Sequence, residues 1–464
     1  MLYFDNLSRD TTDAYLADGL TEQTIAQLGE VNRLTVSSRY AVRRFRGNAA
    51  PQDPAVIGRA LNVTFLVTGS VQRAGPRLRV DVELLRANTG IRVWGDQYDR
   101  TATDILQLQD DIASAVATGI VGRLLPTERR AIATRTTRSP AAYDQFLRGN
   151  FYLAQRTEPT LLLAVRSYRA AVAADPSFTD ALAREAYCYG NALDDEADIG
   201  VSRDSLVQLG MRTAQRAVTL DSLSSDAWMA VAYARQGAYP TTFEGVREAY
   251  ERALRLNPRN AEAHHQFGSF LSYIGDTLAA RVESERALAL EPGRAVTWFG
   301  LEEVALDRHQ PTEAMRLLDS ARAADPTFRL ADVARFMVAL DLNDTAMMRR
   351  ANEELQRDPS YALVGSYFAA FLAAFKKEPG SLEVFNRLAN AKWTGPGSQI
   401  AAGYSAMLGA RLGDTEAALA FLAAAQPRGI RLHEFLRRAP FDAIRGDPRF
   451  QAIWRETMPP GASW

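Results

Sequence analysis

The first 125 residues show two alternating patterns of hydrophobic and polar positions. Apolar side chains occupy every second position over 65–72 and again over 78–84, and a Gly-Pro pair separates the two segments. This period of two is typical of half-buried strands, so the segments predict a β-hairpin, and 91–99 predicts a further strand. Apolar residues spaced three or four positions apart predict helices over 13–30, 54–61 and 103–125. The mixture predicts a small α/β domain with a mixed sheet over residues 1–125.

A carboxylate-rich stretch, residues 6–23, follows a short apolar run that predicts the first strand. An active-site loop is one interpretation, but acidic and hydroxyl side chains also suit the exposed amides at the start of a helix. One face of this helix is apolar: Leu16, Leu20, Ile25 and Leu28. We interpret the carboxylates as capping and solvating groups. We expect Gly19 to allow close packing of the helix on the sheet, with approach of a ligand as the alternative.

From residue 141 onward the pattern is helical and repeats every 34 residues. Pro258, Pro292 and Pro326 follow this step, and each has an alanine five residues before it: Ala253, Ala287 and Ala321. The same step relates His264 to Trp298 and Ala280 to Ala314. Small residues let paired helices approach closely, and a proline ends the second helix of each pair. The period is that of tetratricopeptide repeats.

The predicted fold class is therefore α+β, with a mixed α/β domain over 1–125 followed by an all-α solenoid over 141–464. We predict six to eight repeats, with the best register over 226–327. Residues 126–140 contain two prolines and four arginines. They predict a charged linker, and a basic binding arm is less favoured because no aromatic residues interleave for stacking.

Several N-terminal motifs resemble a known domain. The segments "FDNLSRDTTDAYLADGLTEQTIAQL", "LTVSSRYAVRRFRG" and "VIGRALNVTFLVTGSVQRAGPRLRVDVELLRANTGIRVWGDQYDR" are similar to the TolB amino-terminal-like domain. That domain often precedes tetratricopeptide repeats in bacterial adenylate cyclases, serine/threonine kinases and winged-helix regulators. The ending "FDAIRGDPRFQAIW" also resembles those chains. The resemblance implies a catalytic or DNA-binding domain upstream, so the chain is expected to be either a stand-alone version or the downstream part of a longer protein.

Charge and cysteine content limit the possible functions. The 464 residues carry a formal net charge of −1, which gives no general attraction to nucleic acid or anionic lipid. Cys188 is the only cysteine, which excludes an internal disulfide and a cluster of thiolate ligands. We expect a buried, inert thiol. The sequence contains no apolar run as long as the ~20 residues of a membrane span.

Motifs for catalysis or cofactor binding are absent from the sequence. It has no GxxxxGK(S/T) phosphate loop, no GxGxxG, no kinase or class III cyclase signature, no GxSxG and no HExxH. We therefore predict a non-enzyme with no cofactor and no metal site. The acidic group Asp194, Asp195, Glu196 and Asp198 lacks calcium-loop spacing and is interpreted as a solvated insertion. Arg39, Arg43, Arg44 and Arg46, after a second predicted strand, are interpreted as a solvated edge, with anion binding as the alternative.

What remains is a surface for a partner. In tetratricopeptide arrays the first helix of each repeat lines the concave face, which here implies a groove with the following residues: Met229, Tyr233, His265, Ser269, Phe299 and Glu303. We expect His264, at the position of Trp298, to lie in the core. The family members that bind a C-terminal carboxylate use Lys and Asn at the groove positions, and this chain does not. A protein or peptide partner is expected, although these side chains could equally pack against neighbouring helices.

The leading hypothesis is a non-catalytic interaction or sensory module of a bacterial signalling protein. If the chain is part of a longer protein, this module is expected to regulate an upstream kinase or cyclase. The alternatives are the effector region of a winged-helix transcription regulator and a stand-alone assembly scaffold. Direct nucleic-acid binding and a membrane span are not expected from this chain. The location is expected to be cytoplasmic, or extracytoplasmic if the chain follows a membrane-anchored kinase or cyclase.

Overall fold

The computed structural model describes residues 1–47, 53–135, 137–155, 157–194, 197–238, 243–381, 383, 398–425 and 430–458. The chain divides into two compact units, which do not follow the sequence in single blocks. Unit 1 contains Met1–Tyr189, Gln208–Ala230 and Leu290–Gly293, and unit 2 contains Gly190–Val207, Val231–Ala289 and Arg294–Trp464. Helices dominate both, and one small sheet lies near the N-terminus, which agrees with the α+β class.

The sheet has four strands in the order in which they occur along the chain: β1 (Asp5–Asn6), β2 (Phe65–Ala74), β3 (Arg77–Arg86) and β4 (Arg92–Thr101). β1 pairs with β2 in parallel, and the other neighbours are antiparallel. The predicted hairpin is confirmed, with its turn at Gly75, whose φ of +58° lies in the left-handed region that glycine tolerates. The strand expected before Arg39 was wrong, because residues 34–38 carry no strand pairing and Ser38 instead caps the next helix.

Five helices accompany the sheet: α1 (Ala14–Gly29), α2 (Arg39–Arg43), α3 (Pro54–Leu61), α4 (Ile105–Val121) and α5 (Pro126–Ile132). The four apolar residues predicted to share a face of α1 are all buried. Asp10 caps the short 3-10 turn that precedes α1. A Cβ on Gly19 would lie 2.9 Å from Leu147 Cδ2, so this glycine permits close packing against another helix. The expectation that it would allow packing on the sheet was wrong.

The segment expected to be a linker contains α5. Glu128 at its start accepts hydrogen bonds from the Leu125 amide, at 2.8 Å, and from Arg33, at 2.6 and 2.8 Å. Ile132 at its end is buried. Residues 126–132 are therefore anchored to the N-terminal helices by one capping carboxylate and one apolar side chain.

The remaining helices follow one another to the C-terminus: α6 (Pro140–Leu153), α7 (Glu158–Ala174), α8 (Thr179–Asp194), α9 (Arg203–Leu220), α10 (Ser225–Gly237), α11 (Val246–Leu256), α12 (Ala261–Tyr273), α13 (Thr277–Leu290), α14 (Ala295–Asp307), α15 (Pro311–Ala324), α16 (Leu330–Asp341), α17 (Thr345–Gln356), α18 (Ala362–Phe375), α19 (Ser398–Leu412), α20 (Thr415–Ala424), α21 (Ile430–Leu436) and α22 (Pro448–Thr457). Consecutive helices pack as pairs, for example α14 with α15 and α16 with α17.

The 34-residue period corresponds to this pairing. Ala253, Ala287 and Ala321 are fully buried at the ends of the second helices α11, α13 and α15. Because an alanine occupies so little space, the neighbouring helix can approach closely at each of these positions. Pro258 and Pro326 lie just beyond the end of their helices, as predicted. The helical part is thus a tetratricopeptide-type array of helix pairs.

The C-terminal part of unit 2 has an aromatic core. Phe336 stacks on Phe368 with ring centroids 4.0 Å apart. Leu436 and Phe441, from the segment after the last repeats, are fully buried in the same cluster. The segment 430–458 is therefore held in unit 2 by apolar contacts. No helix in the described parts of the chain is long and apolar enough to cross a membrane.

Candidate partner-binding site

Three of the residues predicted to line a groove are buried. Met229, Tyr233 and His265 are 1, 3 and 6% exposed. Tyr233 donates a hydrogen bond of 3.0 Å to Asn191 Oδ1, and its ring lies where a Cβ on Gly190 would be. The open-groove prediction for these three is corrected, because each side chain is used in packing between helices.

The other three predicted groove residues are half-buried. The Ser269 hydroxyl donates to the carbonyl of His265 at 3.2 Å, one turn earlier on α12. Phe299 on α14 packs edge-on against Phe328, with the ring centroids 6.0 Å apart. Glu303, also on α14, lies near an arginine from the C-terminal segment. Of the predicted residues, Glu303 is therefore the one that lies beside an opposite charge.

The adjacent histidines have different neighbours. His264 is buried and contacts Glu283 Oε2 at 2.6 Å and the Pro258 carbonyl at 3.0 Å, which confirms its predicted place in the core. The hydroxyl of Thr297 lies 3.2 Å from Nδ1 of His265. The two rings thus belong to separate contacts.

A group of acidic side chains lies beside the predicted groove residues, on the first helices of successive pairs. This carboxylate cluster consists of Glu302, Glu303, Asp307 and Asp341. Asp307 ends α14 and Asp341 ends α16, and the two are separated by the 34-residue step of the repeat. They therefore occupy equivalent positions in neighbouring repeats.

Two consecutive arginines from the end of α21 face the carboxylate cluster. Nη1 of Arg437 donates to the carbonyl of Ser272 at 3.0 Å, and Nη2 lies 3.3 Å from Oδ2 of Asp307. The side chains of Arg437 and Asp307 are 5 and 1% exposed. Arg438 adds a second guanidinium, on which all four carboxylates act. We call Arg437 and Arg438 the arginine pair.

Burial dominates the electrostatics of this site. It raises the pKa of Glu302 to about 8, against a smaller opposing effect of Arg438. It also raises the pKa values of Asp307 and Asp341, again partly offset by nearby arginines. Burial works against the charge on Arg438, but the cluster outweighs it and raises the pKa of that arginine. Arg411 and His309 also act on carboxyl groups of the cluster. With its raised pKa, Glu302 is largely protonated at neutral pH.

Hydrogen bonding in this group of side chains is incomplete on the acidic and on the basic side. Oδ1 of Asp307 and Oδ1 of Asp341 are buried, and neither has a hydrogen-bond donor within the described residues. A buried acceptor without a donor costs about 1–3 kcal/mol, so structures rarely leave one unsatisfied. Nη1 of Arg438 is likewise buried without an acceptor among the described residues, so both donors and acceptors are left over.

A second group of acids and arginines lies in unit 1 and involves the predicted basic patch. This N-terminal network consists of Tyr3, Asp18, Glu22, Arg39 and Arg46. Arg46 donates to both oxygens of Asp18, at 2.6 and 3.0 Å. Arg39 and the Tyr3 hydroxyl donate to the two oxygens of Glu22, each at 2.8 Å. The prediction of a solvated edge is corrected for Arg39 and Arg46, because both are paired with carboxylates of α1.

The remaining candidates from the sequence are the single cysteine and the acidic insertion. Cys188 is buried, and burial raises the pKa of its thiol, which suits an inert side chain. Two of the four residues in the acidic insertion, Asp195 and Glu196, lie outside the described residues. Over the described ranges, no three His, Cys, Asp or Glu side chains come together as a metal site would require.

The sequence interpretation missed the carboxylate cluster and the arginine pair. The 34-residue step from Asp307 to Asp341 was visible and could have marked them as equivalent positions. The Arg-Arg pair at the end of an apolar helix was also visible. Their contact could not be read from local pattern, since Ser272 and Arg437 are 165 positions apart.

Known proteins resemble this chain over a limited part of its sequence and over a larger part of its fold. No family model matches the chain. It is 30% identical over 181 residues to "Putative adenylate cyclase 3" of Rhizobium meliloti (strain 1021). The match covers 39% of this chain and 30% of that protein, so the chain spans less than a third of the length of this curated relative.

Among solved structures, a monomeric mutant of IFIT1 crystallised with m7Gppp-AAAA is 10% identical and has a TM-score of 0.50. The likeness covers 76% of this chain and 86% of that chain, and it concerns the fold alone. TTC0263, a thermophilic TPR protein from Thermus thermophilus, is 20% identical with a TM-score of 0.37, over 43% of this chain and 100% of its own.

Proposed function

We propose that the chain is the non-catalytic interaction and sensory part of a bacterial signalling protein. In this proposal, residues 1–125 form a TolB-like domain, and the tetratricopeptide helices bind a protein or peptide partner. The observation that carries it is the array of helix pairs, in which the first helices α14 and α16 end at the equivalent residues Asp307 and Asp341. Repeat arrays of this kind use such surfaces to bind extended segments of other proteins.

The proposed link to a signalling protein rests on sequence similarity to part of the Rhizobium meliloti protein described above. The 181 matched residues support a role beside a cyclase domain, either as its regulatory region or as a partner of it. The sequence motifs argue against catalysis by this chain itself, since it lacks the residues that would bind nucleotide phosphates or metal ions.

The experiment is site-specific photo-crosslinking of the full chain in bacterial cells. A photoreactive phenylalanine analogue replaces Phe299, which is half-buried on the first helix α14. The matched control carries it at Leu278, which is 67% exposed on the second helix α13. We expect a defined protein adduct from position 299 and none from 278. Equal adducts from both positions, or none from either, would contradict partner binding through the first helices.

A second measurement tests the non-catalytic part of the proposal. The purified full chain is incubated with ATP and Mg²⁺ or Mn²⁺, and cyclic AMP is assayed. We expect no product above a blank without protein. Reproducible product from the chain, lost on heating, would overturn the non-catalytic assignment while leaving the crosslinking result to stand on its own.

A further inference from the structure

We propose that the arginine pair fixes the relative positions of three successive first helices, α12, α14 and α16. The inference goes beyond the proposed function, because it concerns how the array keeps its own geometry. In a repeat array each helix pair contacts only its neighbours, so small rotations between pairs add up along the array. A contact between segments that are distant in the sequence restricts those rotations.

Arg437 joins the ends of two first helices. Its Nη1 donates to the carbonyl of Ser272 at 3.0 Å near the end of α12, and its Nη2 lies 3.3 Å from Oδ2 of Asp307 at the end of α14. A planar guanidinium can bind two acceptors at once in this way. The Ser272 hydroxyl donates to the same carboxylate oxygen at 3.4 Å. The ends of α12 and α14 therefore meet at one buried guanidinium.

The next first helix, α16, is connected in the same region. The charge of Arg438 acts on Glu302 of α14 and on Asp341, which ends α16. Arg411 of α19 donates a hydrogen bond to the side chain of Asn343, in the turn that follows α16. The C-terminal ends of three successive first helices are thus held by arginines from later parts of the chain.

The backbone that carries the arginine pair is anchored on both sides. Leu432 and Leu436 precede the pair, Phe441 follows it, and all three are fully buried in a core that helices from α16 onward supply. Because apolar contacts hold this backbone, the guanidinium groups cannot follow a rotation of α12. Arg437 therefore connects α12 to the C-terminal core of unit 2, across 165 positions of the sequence.

The contact contributes to geometry more than to stability. Ion pairs taken out of water often add little net stability, because the loss of hydration offsets their attraction. Oδ1 of Asp307 and Nη1 of Arg438, which lack partners among the described residues, reduce the gain further. A fixed arrangement of first helices nevertheless matters for binding, since a partner then has less of the surface to order.

Distance measurements between two spin labels test this inference in the full chain. The labels are attached to cysteines that replace Leu278 on α13 and Leu330 at the start of α16, both exposed. Cys188 is buried and does not compete for the label. Arg437→Met with Asp307→Asn removes the contact together with one charge of each sign. We expect a single narrow distance distribution in the unaltered chain and one about twofold broader in this variant.

Two further variants keep the result interpretable. Arg449→Met with Glu416→Gln removes an exposed pair of opposite charges that joins α22 to α20, and it should leave the distribution as in the unaltered chain. If the first variant does not fold by circular dichroism, Arg437→Lys replaces it. A lysine keeps the charge but lacks the planar fork that binds two acceptors, so a smaller broadening is expected.

An unchanged distribution in the folded variant overturns the inference. A distribution that is already broad in the unaltered chain does so too, because the three first helices would then not be held in one arrangement. Equal broadening in the Arg449 control would also contradict the inference, since loss of any ion pair would then loosen the array.

Discussion

The N-terminal network and the carboxylate cluster use the same types of residue but differ in balance. In the N-terminal network two acids meet two arginines and a tyrosine, and each of the four carboxylate oxygens has a donor. In the carboxylate cluster two buried carboxylate oxygens have no donor, and Nη1 of Arg438 has no acceptor, among the described residues. The first arrangement is complete within the chain, and the second is not.

This difference in hydrogen bonding distinguishes the two networks more clearly than burial does. Burial raises the pKa of Asp18 in the N-terminal network just as it raises that of Asp307 in the carboxylate cluster. What distinguishes the two sites is whether the chain's own donors match its acceptors. A fully paired network of this kind fixes the position of α1 against α2.

The largest expected effect comes from removing an acid of the matched network. Glu22→Ala leaves Arg39 without its carboxylate and the Tyr3 hydroxyl without its acceptor. We expect the free energy of unfolding, measured in urea, to fall by about 3 kcal/mol, since the charge that remains is partly buried. Glu30→Ala, at the exposed end of the same helix, is the matched control and should cost less than about 0.5 kcal/mol. Similar losses for the two variants would contradict a structural role for the network.

A pH-dependent effect is expected at the carboxylate cluster. The pKa of Glu302 is raised from 4.5 to about 8 by burial. Between these values the unfolded chain loses its proton while the folded chain keeps it, so this group makes stability fall as the pH rises. Glu302→Gln resembles the protonated acid and removes that dependence. We expect the variant to be more stable than the unaltered chain by roughly 2 kcal/mol at pH 9 and equal to it at pH 4.

Denaturation in urea at several pH values measures this difference. Glu285→Gln, an exposed glutamate on α13 that pairs with Arg281, is the control and should show no comparable gain at high pH. A stability difference for Glu302→Gln that does not change with pH would mean that Glu302 is ionised in the folded protein, and the charge balance of the cluster would have to be revised.

The features that could be predicted from sequence were those with a local period. The buried alanines at 253, 287 and 321 follow from the 34-residue step, and the β2–β3 hairpin follows from alternation around Gly75. The role of Gly19 was misassigned because its neighbour, Leu147, comes from a distant helix. The same limit applies to the candidate site, where Glu303 was predicted but the arginines that face it were not. A periodic pattern specifies which face of a helix is covered, but not which distant segment covers it.

Asp341→Asn is expected to change the free energy of unfolding least, and so to differ most from Glu22→Ala. Asp341 belongs to the carboxylate cluster, and its buried Oδ1 has no donor in the described residues. Burial raises its pKa, with a smaller opposing effect of Arg438, so its charge is already disfavoured in the folded chain. Replacing it removes one like charge beside Asp307 and Glu302 without leaving the arginine pair without a carboxylate. We expect a change in unfolding free energy within about 0.5 kcal/mol, of either sign. A loss as large as that of Glu22→Ala would show that the cluster is a matched network after all.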